Sequence, residues 1–206
     1  MRLLSLHFLL IVSILFAAGC SRRPRAPRRP GVNAAAAGRA AIEMYDTDGD
    51  GKLDTTELER CPALLMALPL ADTDGDGKLS ADEIAARVEA WFAFGTIMMD
   101  AAPLVTLDGQ PLEGAEVVFE PEEFLGEGFT ECRGVTDASG RAAVSGAHAQ
   151  YPGVYVGAYR VRISKVVDGR ETLPARYNTE SELGVEVAED HGIELPRYLE
   201  FHLRSE

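Results

Sequence analysis

The 206-residue chain has few of the side chains from which catalytic centres are usually built. It contains three cysteines, four histidines and one tryptophan, and no two histidines have the His-x-x-x-His spacing of a helical metal site. It also lacks a Gly-x-Ser-x-Gly elbow, a phosphate-binding loop and a dinucleotide fingerprint. The sequence therefore predicts a protein that is not an enzyme.

Basic residues are scarce after residue 31. Arg2 and five arginines between residues 22 and 29 account for six of the 20 basic residues, whereas all 33 acidic residues follow residue 31. The remainder of the chain has 14 basic and 33 acidic residues, a net charge of −19. So acidic a body suits cation binding and argues against nucleic acid and other anionic partners.

The acidic residues are densest in two twelve-residue segments of nearly identical sequence, 46–57 and 72–83. Each has carboxylates at positions 1, 3, 5 and 12, a glycine at position 6, and a lysine at position 7 that can offer its backbone carbonyl. A hard divalent cation takes about six to eight oxygen ligands, which this spacing supplies from one tight turn. The predicted ligands are Asp46, Asp48, Asp50, Lys52, Asp54 and Glu57 in the first segment, and Asp72, Asp74, Asp76, Lys78, Ser80 and Glu83 in the second.

Both segments resemble EF-hand calcium loops at every liganding position. The closing glutamate can chelate with both oxygens, which favours Ca²⁺ over the smaller, octahedral Mg²⁺. By this resemblance, Leu53 and Leu79 at position 8 would form a short strand contact that pairs the loops in one domain with two calcium sites. The alternative, an acidic glycine-rich linker, is disfavoured because the pattern occurs twice.

Only 14 residues, 58–71, separate the two loops. They include Pro62 and Pro69, and proline removes a helical donor and clashes with the preceding turn. We therefore expect a compressed pair, with a short exit helix ending near Cys61 and an abbreviated entering helix around 63–68.

Helices are also expected on the outer sides of the pair. The first should span residues 34–45, with Ile42 and Tyr45 on its inner face. The last should run to about residue 94 and end near Gly95, because apolar residues after the second loop recur at helical spacing. These residues are Ile84, Val88, Trp91 and Phe92. We place Trp91 in the core of the pair, with a partner-binding anchor as the alternative.

Residues 1–20 have the form of an export signal, with a basic start, an apolar run too short for a full bilayer span, and small residues before Cys20. Ending in Ala-Ala-Gly-Cys, they resemble a bacterial lipoprotein signal, which would make Cys20 the lipid-bearing first residue of the mature protein. A transmembrane anchor or a cut elsewhere is the alternative. The resemblance implies a location in the cell envelope, facing the periplasm or the exterior, and Ser21 favours the outer membrane by analogy.

Residues 21–40 are rich in arginine, proline and alanine and cannot form a core. The segment is interpreted as a tether that holds the globular part away from the membrane. Its five arginines could instead rest on anionic lipid headgroups, each contributing roughly 1 kcal/mol near such a surface.

From residue 100 onward the apolar periodicity becomes two, which predicts six to eight short strands separated by turns such as Asp108-Gly109 and Asp168-Gly169. An antiparallel β-sandwich fits this pattern. Arg160, Arg162 and Ser164 would then face solvent, and Tyr159, Val161 and Ile163 the other sheet. The clearest predicted strands are 104–107, 115–119, 159–163, 185–187 and 199–203.

Parts of this region resemble carboxypeptidase-regulatory-like domains. The similar segments are an opening strand and turn at 105–119, a Thr-Asp-Ala-Ser-Gly hairpin at 134–141, a Pro-Gly-x-Tyr strand at 152–163, and the stretches 173–177 and 199–203. The resemblance implies a transthyretin-like sandwich and carries little about function. Transthyretin-like hydrolases end in Tyr-Arg-Gly-Ser, whereas this chain ends in Leu-Arg-Ser-Glu, so their activity is not carried over.

The remaining cysteines and histidines carry weaker predictions. Cys61 and Cys132 could form a disulfide in an exported chain or remain two separate buried thiols. His202 should point to solvent, on the strand face opposite Phe201 and Leu203. A metal or catalytic trio formed with His148 and His191 is disfavoured, because no spacing supports it.

Together these patterns predict an α+β multidomain chain. It comprises a signal (1–20), a tether (21–40), a helical EF-hand pair (41–97) and an antiparallel transthyretin-like β-sandwich (103–206). The predicted function is that of a calcium-binding, lipid-anchored envelope protein with a structural or interaction role. The alternatives are a calcium sensor that exposes a surface around Trp91 to another envelope protein, and a glycan- or peptide-binding sandwich stiffened by calcium.

Overall fold

The computed structural model describes residues 26–148, 150–191 and 199–206. The predicted signal, Cys20 and the first part of the tether lie outside these residues. The prediction that the tether extends to residue 40 is wrong, because residues 34–40 are helical and Ala34 and Ala37 are buried in a hydrophobic cluster. The described chain is α+β, with a small helical unit first and a strand-rich unit after it. Four helices, α1 Ala34–Tyr45, α2 Thr55–Leu58, α3 Pro62–Ala71 and α4 Ala81–Ala90, together with the loops between them and Trp91, make up the helical unit.

The sheet unit begins at β3. The strands of the described residues are β1 Lys52–Leu53, β2 Leu79–Ser80, β3 Met98–Met99, β4 Leu104–Leu107, β5 Gln110–Pro111, β6 Glu116–Pro121, β7 Cys132–Val135, β8 Val154–Tyr155, β9 Gly157–Ser164, β10 Val166–Val167, β11 Arg170–Glu171, β12 Leu183–Val187 and β13 Glu200–Leu203.

Of the two outer helices of the helical unit, the first has the predicted bounds and the last is shorter than predicted. The predicted bounds of α1 are confirmed, and its N-cap Asn33 accepts a hydrogen bond from the Ala36 amide at 3.0 Å. In contrast, α4 ends at Ala90 rather than near residue 94. The backbone there tightens into turns with i→i−3 hydrogen bonds, such as that from the Phe92 amide to the Glu89 carbonyl, and reaches a left-handed Gly95.

The segment between the loops differs from the prediction. The exit helix α2 is a single turn, and α3 extends over ten residues instead of the six expected at 63–68. Pro62 stands at the first helical position, where its missing N–H removes no helical bond. The helix also continues past Pro69, because burial of its apolar side chains outweighs the local cost of the proline. The buried residues of α3 are Ala63, Leu64, Ala67 and Ala71.

The sheet unit contains a four-stranded antiparallel sheet with the order β12-β9-β6-β7 and a three-stranded sheet with the order β13-β4-β5. In the second sheet, β4 and β13 pair in parallel, Leu104 opposite Glu200 and Leu107 opposite Leu203. The expectation of a wholly antiparallel fold is therefore wrong at this pair. Parallel neighbours need a long crossover, and here strands β5 to β12 lie between them in sequence.

Buried side chains from both of these sheets form one hydrophobic cluster. Tyr159, Val161 and Ile163 of β9 are fully buried in it, as their alternation predicts. The opposite face of β9 is only half exposed at Arg160 and Arg162, because the helical unit and neighbouring loops lie over part of that face.

A second hydrophobic cluster joins the helical unit to the sheet unit. Its residues come from α1, α3 and α4 on one side and from Phe124, Leu125, Val156, Ala158 and Ala188 on the other. Backbone approaches backbone closely where Pro62 and Ala63 of α3 meet Gly184 of β12.

The two described cysteines remain separate thiols. Cys61 and Cys132 are both free and fully buried, one in each hydrophobic cluster. The disulfide considered from the sequence is therefore not formed. Among the described residues, no helix has the length and apolar character needed to cross a membrane.

The contact between α1 and α4 generates a prediction at Gly38. A methyl group there would overlap the backbone carbonyl oxygen of Ala81, so Gly38→Ala should lower the free energy of unfolding by roughly 1–3 kcal/mol. In an unobstructed helix the same change stabilises, which makes the sign diagnostic. Urea unfolding measures the effect, and Gly31→Ala, at a position with open space around it, is the matched control. A stabilised Gly38→Ala protein would contradict the α1–α4 packing.

Candidate metal centres

The first acidic loop is held in a tight turn by its own carboxylates. Asp46 accepts hydrogen bonds from the amides of Gly49 (2.6 Å) and Gly51 (2.9 Å). Asp48 and Asp50 each accept one from the amide two residues later, at 3.0 and 2.8 Å. Gly51 has φ +82°, in the left-handed region that glycine adopts without strain, so the chain can reverse there.

The second loop repeats this geometry position by position. Asp72 accepts from the amides of Gly75 (2.7 Å) and Gly77 (2.9 Å). Asp74 and Asp76 each accept from the amide two residues on, at 3.1 and 2.9 Å. Since every bond has its counterpart in the first loop, the two turns form in the same way.

The turns gather carboxylate oxygens at positions 1, 3 and 5. In each loop, one oxygen from each of the three aspartates lies within 4.8 Å of the other two. The side chains are partly exposed, so a cation from solvent can reach them. A donor set made of oxygen alone suits a hard cation such as Ca²⁺, and the residues present therefore fit the metal that the sequence predicts.

The glutamate at position 12 connects the beginning of each loop to the helix after it. Glu57 accepts from the Thr47 amide (2.6 Å) and the Asp54 amide (3.0 Å), and Asp54 caps α2 in return. Glu83 accepts from the amides of Thr73 and Ser80, both at 2.9 Å. Both glutamates are buried, and neither is among the side chains whose oxygens converge in its loop.

Hydrogen bonding keeps both glutamates ionised. The Thr47 and Asp54 amides lower the pKa of Glu57. Burial raises the pKa of Glu83, but hydrogen bonds from the Ser80 amide and hydroxyl and from the Thr73 amide outweigh burial and bring its pKa to about 2. Ionised carboxylates are the form that a cation binds.

The two loops are paired. Leu53 lies opposite Leu79 and Lys52 opposite Ser80 in the antiparallel contact between β1 and β2. Both leucines are fully buried. The short strand contact between the position-8 leucines, which the resemblance to EF-hand loops implies, is therefore present.

Two lysines cross between the loops, which the sequence reasoning did not anticipate. The Lys52 ammonium contacts Asp74 (3.1 Å) and Asp76, and the Lys78 ammonium contacts Asp50. These contacts lower the pKa of Asp50 and Asp76. The antiparallel register could have indicated them, since pairing at position 8 brings each position-7 lysine beside the other loop.

The comparisons with known proteins bear on this part of the chain. Residues 39–62 and 70–88 match the family model described as EF hand. The match covers both loops and supports the EF-hand assignment of this part and its binding of calcium. No significant match was found among the curated proteins or among the solved structures.

The histidines do not assemble into a site among the described residues. His202 is 63% exposed and lies 3.4 Å from Glu200, so its predicted orientation toward solvent is confirmed. His191 lies 2.8 Å from Glu186, whereas His148 packs against Tyr151. The only groups of metal-ligating side chains found in the described part of the chain are the two aspartate trios.

A polar groove of about 680 Å³ lies between the two units. Arg60 contributes to it from the helical unit, and Arg160 and Arg162 from β9. Other lining residues are Glu59, Glu120, Asn178, Thr179, Glu180, Ser181 and Glu182. Charges of both signs and side-chain amide and hydroxyl groups make the groove suited to a polar ligand.

The inter-loop lysines generate a prediction about affinity. Lys52→Gln with Lys78→Gln keeps both backbone carbonyls but removes two positive charges beside the aspartates. We expect calcium to bind roughly three- to tenfold more tightly at low ionic strength, with a smaller gain at high ionic strength. The measurement is calorimetric titration at both salt concentrations. Lys165→Gln, outside the loops, is the control, and weaker binding by the double variant would show that the lysines do not oppose the metal.

Proposed function

We propose that the helical unit binds two calcium ions and that the protein acts as a calcium-stabilised structural or interaction module. The observation that carries this proposal is the matched construction of two paired loops, in which three aspartates converge and a glutamate closes the turn. A solvated acidic linker would not be expected to form the same set of hydrogen bonds in two separate segments.

Each site would offer a calcium ion oxygen ligands that come from the chain itself. Asp46, Asp48, Asp50 and Glu57 would hold the ion in the first loop, together with the carbonyl of Lys52 and with Asp54 at position 9. Their counterparts in the second loop are Asp72, Asp74, Asp76, Lys78, Ser80 and Glu83. Bound calcium supplies positive charge that offsets repulsion among nine carboxylates. Because the unfolded chain lacks these turns, binding stabilises the fold by mass action.

A structural role is preferred to a sensor role because of Trp91. Its side chain is 1% exposed, and its indole N–H donates to Glu186 at 2.5 Å. A sensor that presents a surface around Trp91 would have to break this contact. Extracellular calcium modules bind at about 10⁻⁴–10⁻³ M, a range suited to permanent occupancy outside the cell.

The location is proposed from the amino-terminal sequence. A signal over residues 1–20 with lipid on Cys20 would place the folded units in the cell envelope, with the outer membrane preferred. The proposed role involves no catalysis, and its partners would be calcium, the membrane lipid and an envelope protein.

The groove between the units supports a second candidate function, the binding of a glycan or peptide. Its mixed lining of guanidinium, carboxylate, amide and hydroxyl groups suits a polar ligand, and grooves between units are common ligand sites. In this case calcium would stiffen the helical side of the groove, where Glu59 and Arg60 lie.

Calcium binding is tested by calorimetric titration of residues 26–206. We expect two ions per chain and a rise in melting temperature, since a site at 100 Kd of free ligand stabilises by about 2.7 kcal/mol. Glu57→Gln and Glu83→Gln should each weaken or abolish one site, whereas Glu59→Gln, an exposed neighbour outside the ligand positions, should leave both. Absence of binding heat, together with an unchanged melting temperature at saturating calcium, would refute the proposal.

The lipid anchor is tested separately in a bacterial host. The full chain should fractionate with membranes and carry a diacylglyceryl-modified Cys20 in mass spectra of its amino-terminal peptide. Cys20→Ala should abolish the modification and release or mislocalise the protein without changing calcium binding. Unmodified Cys20 in the membrane-associated wild-type protein would rule out the anchor.

A further inference from the structure

A fully buried carboxylate joins the helical unit to the sheet unit. Glu186, on β12, has no exposed surface. Both oxygens accept hydrogen bonds from the Arg87 guanidinium of α4, from Nε and Nη2 at 2.7 Å each. Trp91, one turn further along the chain, donates its indole N–H to the same carboxylate at 2.5 Å.

The cation in this network is shared with a second carboxylate. Arg87 is 4% exposed, and its Nη1 and Nη2 atoms also donate to Asp190 at 2.5 and 2.8 Å. Burial raises the pKa of Glu186, but hydrogen bonds from His191 and Arg87 and the Arg87 charge outweigh burial and leave its pKa lowered. The carboxylate is therefore ionised, and the cation beside it comes from the helical unit.

Helix α4 connects this network directly to the second calcium loop. Glu83, the closing residue of that loop, lies in the first turn of α4, and Arg87 follows it by four residues on the same side of the helix. Ser80 and Glu83 form a capping box that fixes the start of the helix. The orientation of α4 therefore depends on the loop, and the contact with Glu186 depends on the orientation of α4.

The helical unit also covers part of the sheet. Val156, Ala158 and Ala188 are buried in the cluster that they share with the helices. Gly184 allows the backbone of α3 to lie against β12, because any side chain at that position would overlap Pro62 and Ala63. The covered parts of β9 and β12 become accessible to solvent only when the helices move away.

Partial detachment of the helices is unfavourable. In a partly detached state, the ionised Glu186 carboxylate would lose the Arg87 charge and the Trp91 donor while it is still shielded from water, which is strongly destabilising. The buried charge thus makes docking of the two units close to all-or-none.

We propose that calcium in the second loop is coupled through α4 to the sheet unit, so that the metal stabilises β9 and β12 as well as the loops that bind it. The coupling presupposes the calcium binding proposed above. Without the ion, repulsion among the loop carboxylates favours opening of the helical unit, and the sheet loses its cover in the same event. With the ion bound, that event requires release of the metal.

Hydrogen exchange of the full chain, with and without calcium, tests the coupling. We expect peptides from β9 and β12 to exchange more slowly when calcium is bound, by up to about 100-fold at a free concentration of 100 Kd, since one-site linkage slows opening by about 1 + [Ca²⁺]/Kd. Calorimetry on the same sample separates two failures. No binding heat overturns the proposed function, whereas binding with protection confined to residues 34–91 overturns only the coupling.

Two variants test the role of the buried carboxylate. Glu186→Gln should still bind calcium but lose most of the calcium-dependent protection of the sheet, whereas Glu182→Gln, exposed just before the same strand, should behave as wild type. Trp91→Phe removes the indole N–H that donates to Glu186, together with part of a buried ring, and carries the test if Glu186→Gln does not fold. A full wild-type response of the sheet in either variant that folds would overturn the route through α4.

Discussion

Repulsion between like charges is the constraint on which the helical unit depends. Nine carboxylates occupy liganding positions in two short paired loops, namely positions 1, 3, 5 and 12 of both loops and position 9 of the first. Backbone amides directed at Asp46 and Asp72, and lysines directed across the pair, balance part of this charge within the chain itself. The turns can therefore adopt their shape before a cation arrives, which lowers the ordering cost of binding.

The same balance of charge recurs at the interface between the units, but there it is buried. Glu186 and Arg87 are removed from solvent, so each requires the other. The loop aspartates are partly exposed, so a metal ion could replace the lysines that contact them. A second polar contact, from the Tyr45 hydroxyl to Glu122 at 3.4 Å, joins the end of α1 to the residue after β6. The helix before the first loop and the helix after the second loop therefore each make a polar contact with the sheet unit.

The sequence predicted those features that depend on local spacing. The convergence of three aspartates in each loop, the bounds of α1 and the inward face of β9 follow from turn geometry and from the periods of a helix and a strand. The predictions that failed depend on contacts distant in sequence. The length of α3 depends on its packing against β12, which outweighs the tendency of Pro69 to end a helix. The parallel pairing of β4 with β13 joins strands that are almost 100 residues apart in sequence. Nothing near Arg87 or Trp91 indicates Glu186, which lies 99 residues beyond the arginine.

The segment before α1 determines where the two acidic loops would lie relative to an amino-terminal anchor. Arg29 lies over the Phe92 ring at 3.9 Å from its centroid, and Asn33 then caps α1. The first loop follows the opposite end of α1, after 12 residues that rise about 18 Å. Because Phe92 also follows the end of α4 remote from the second loop, both loops lie at the end of the helical unit away from the tether. An anchor at Cys20 would hold them on the side away from the attachment point, open to the calcium of the surrounding medium.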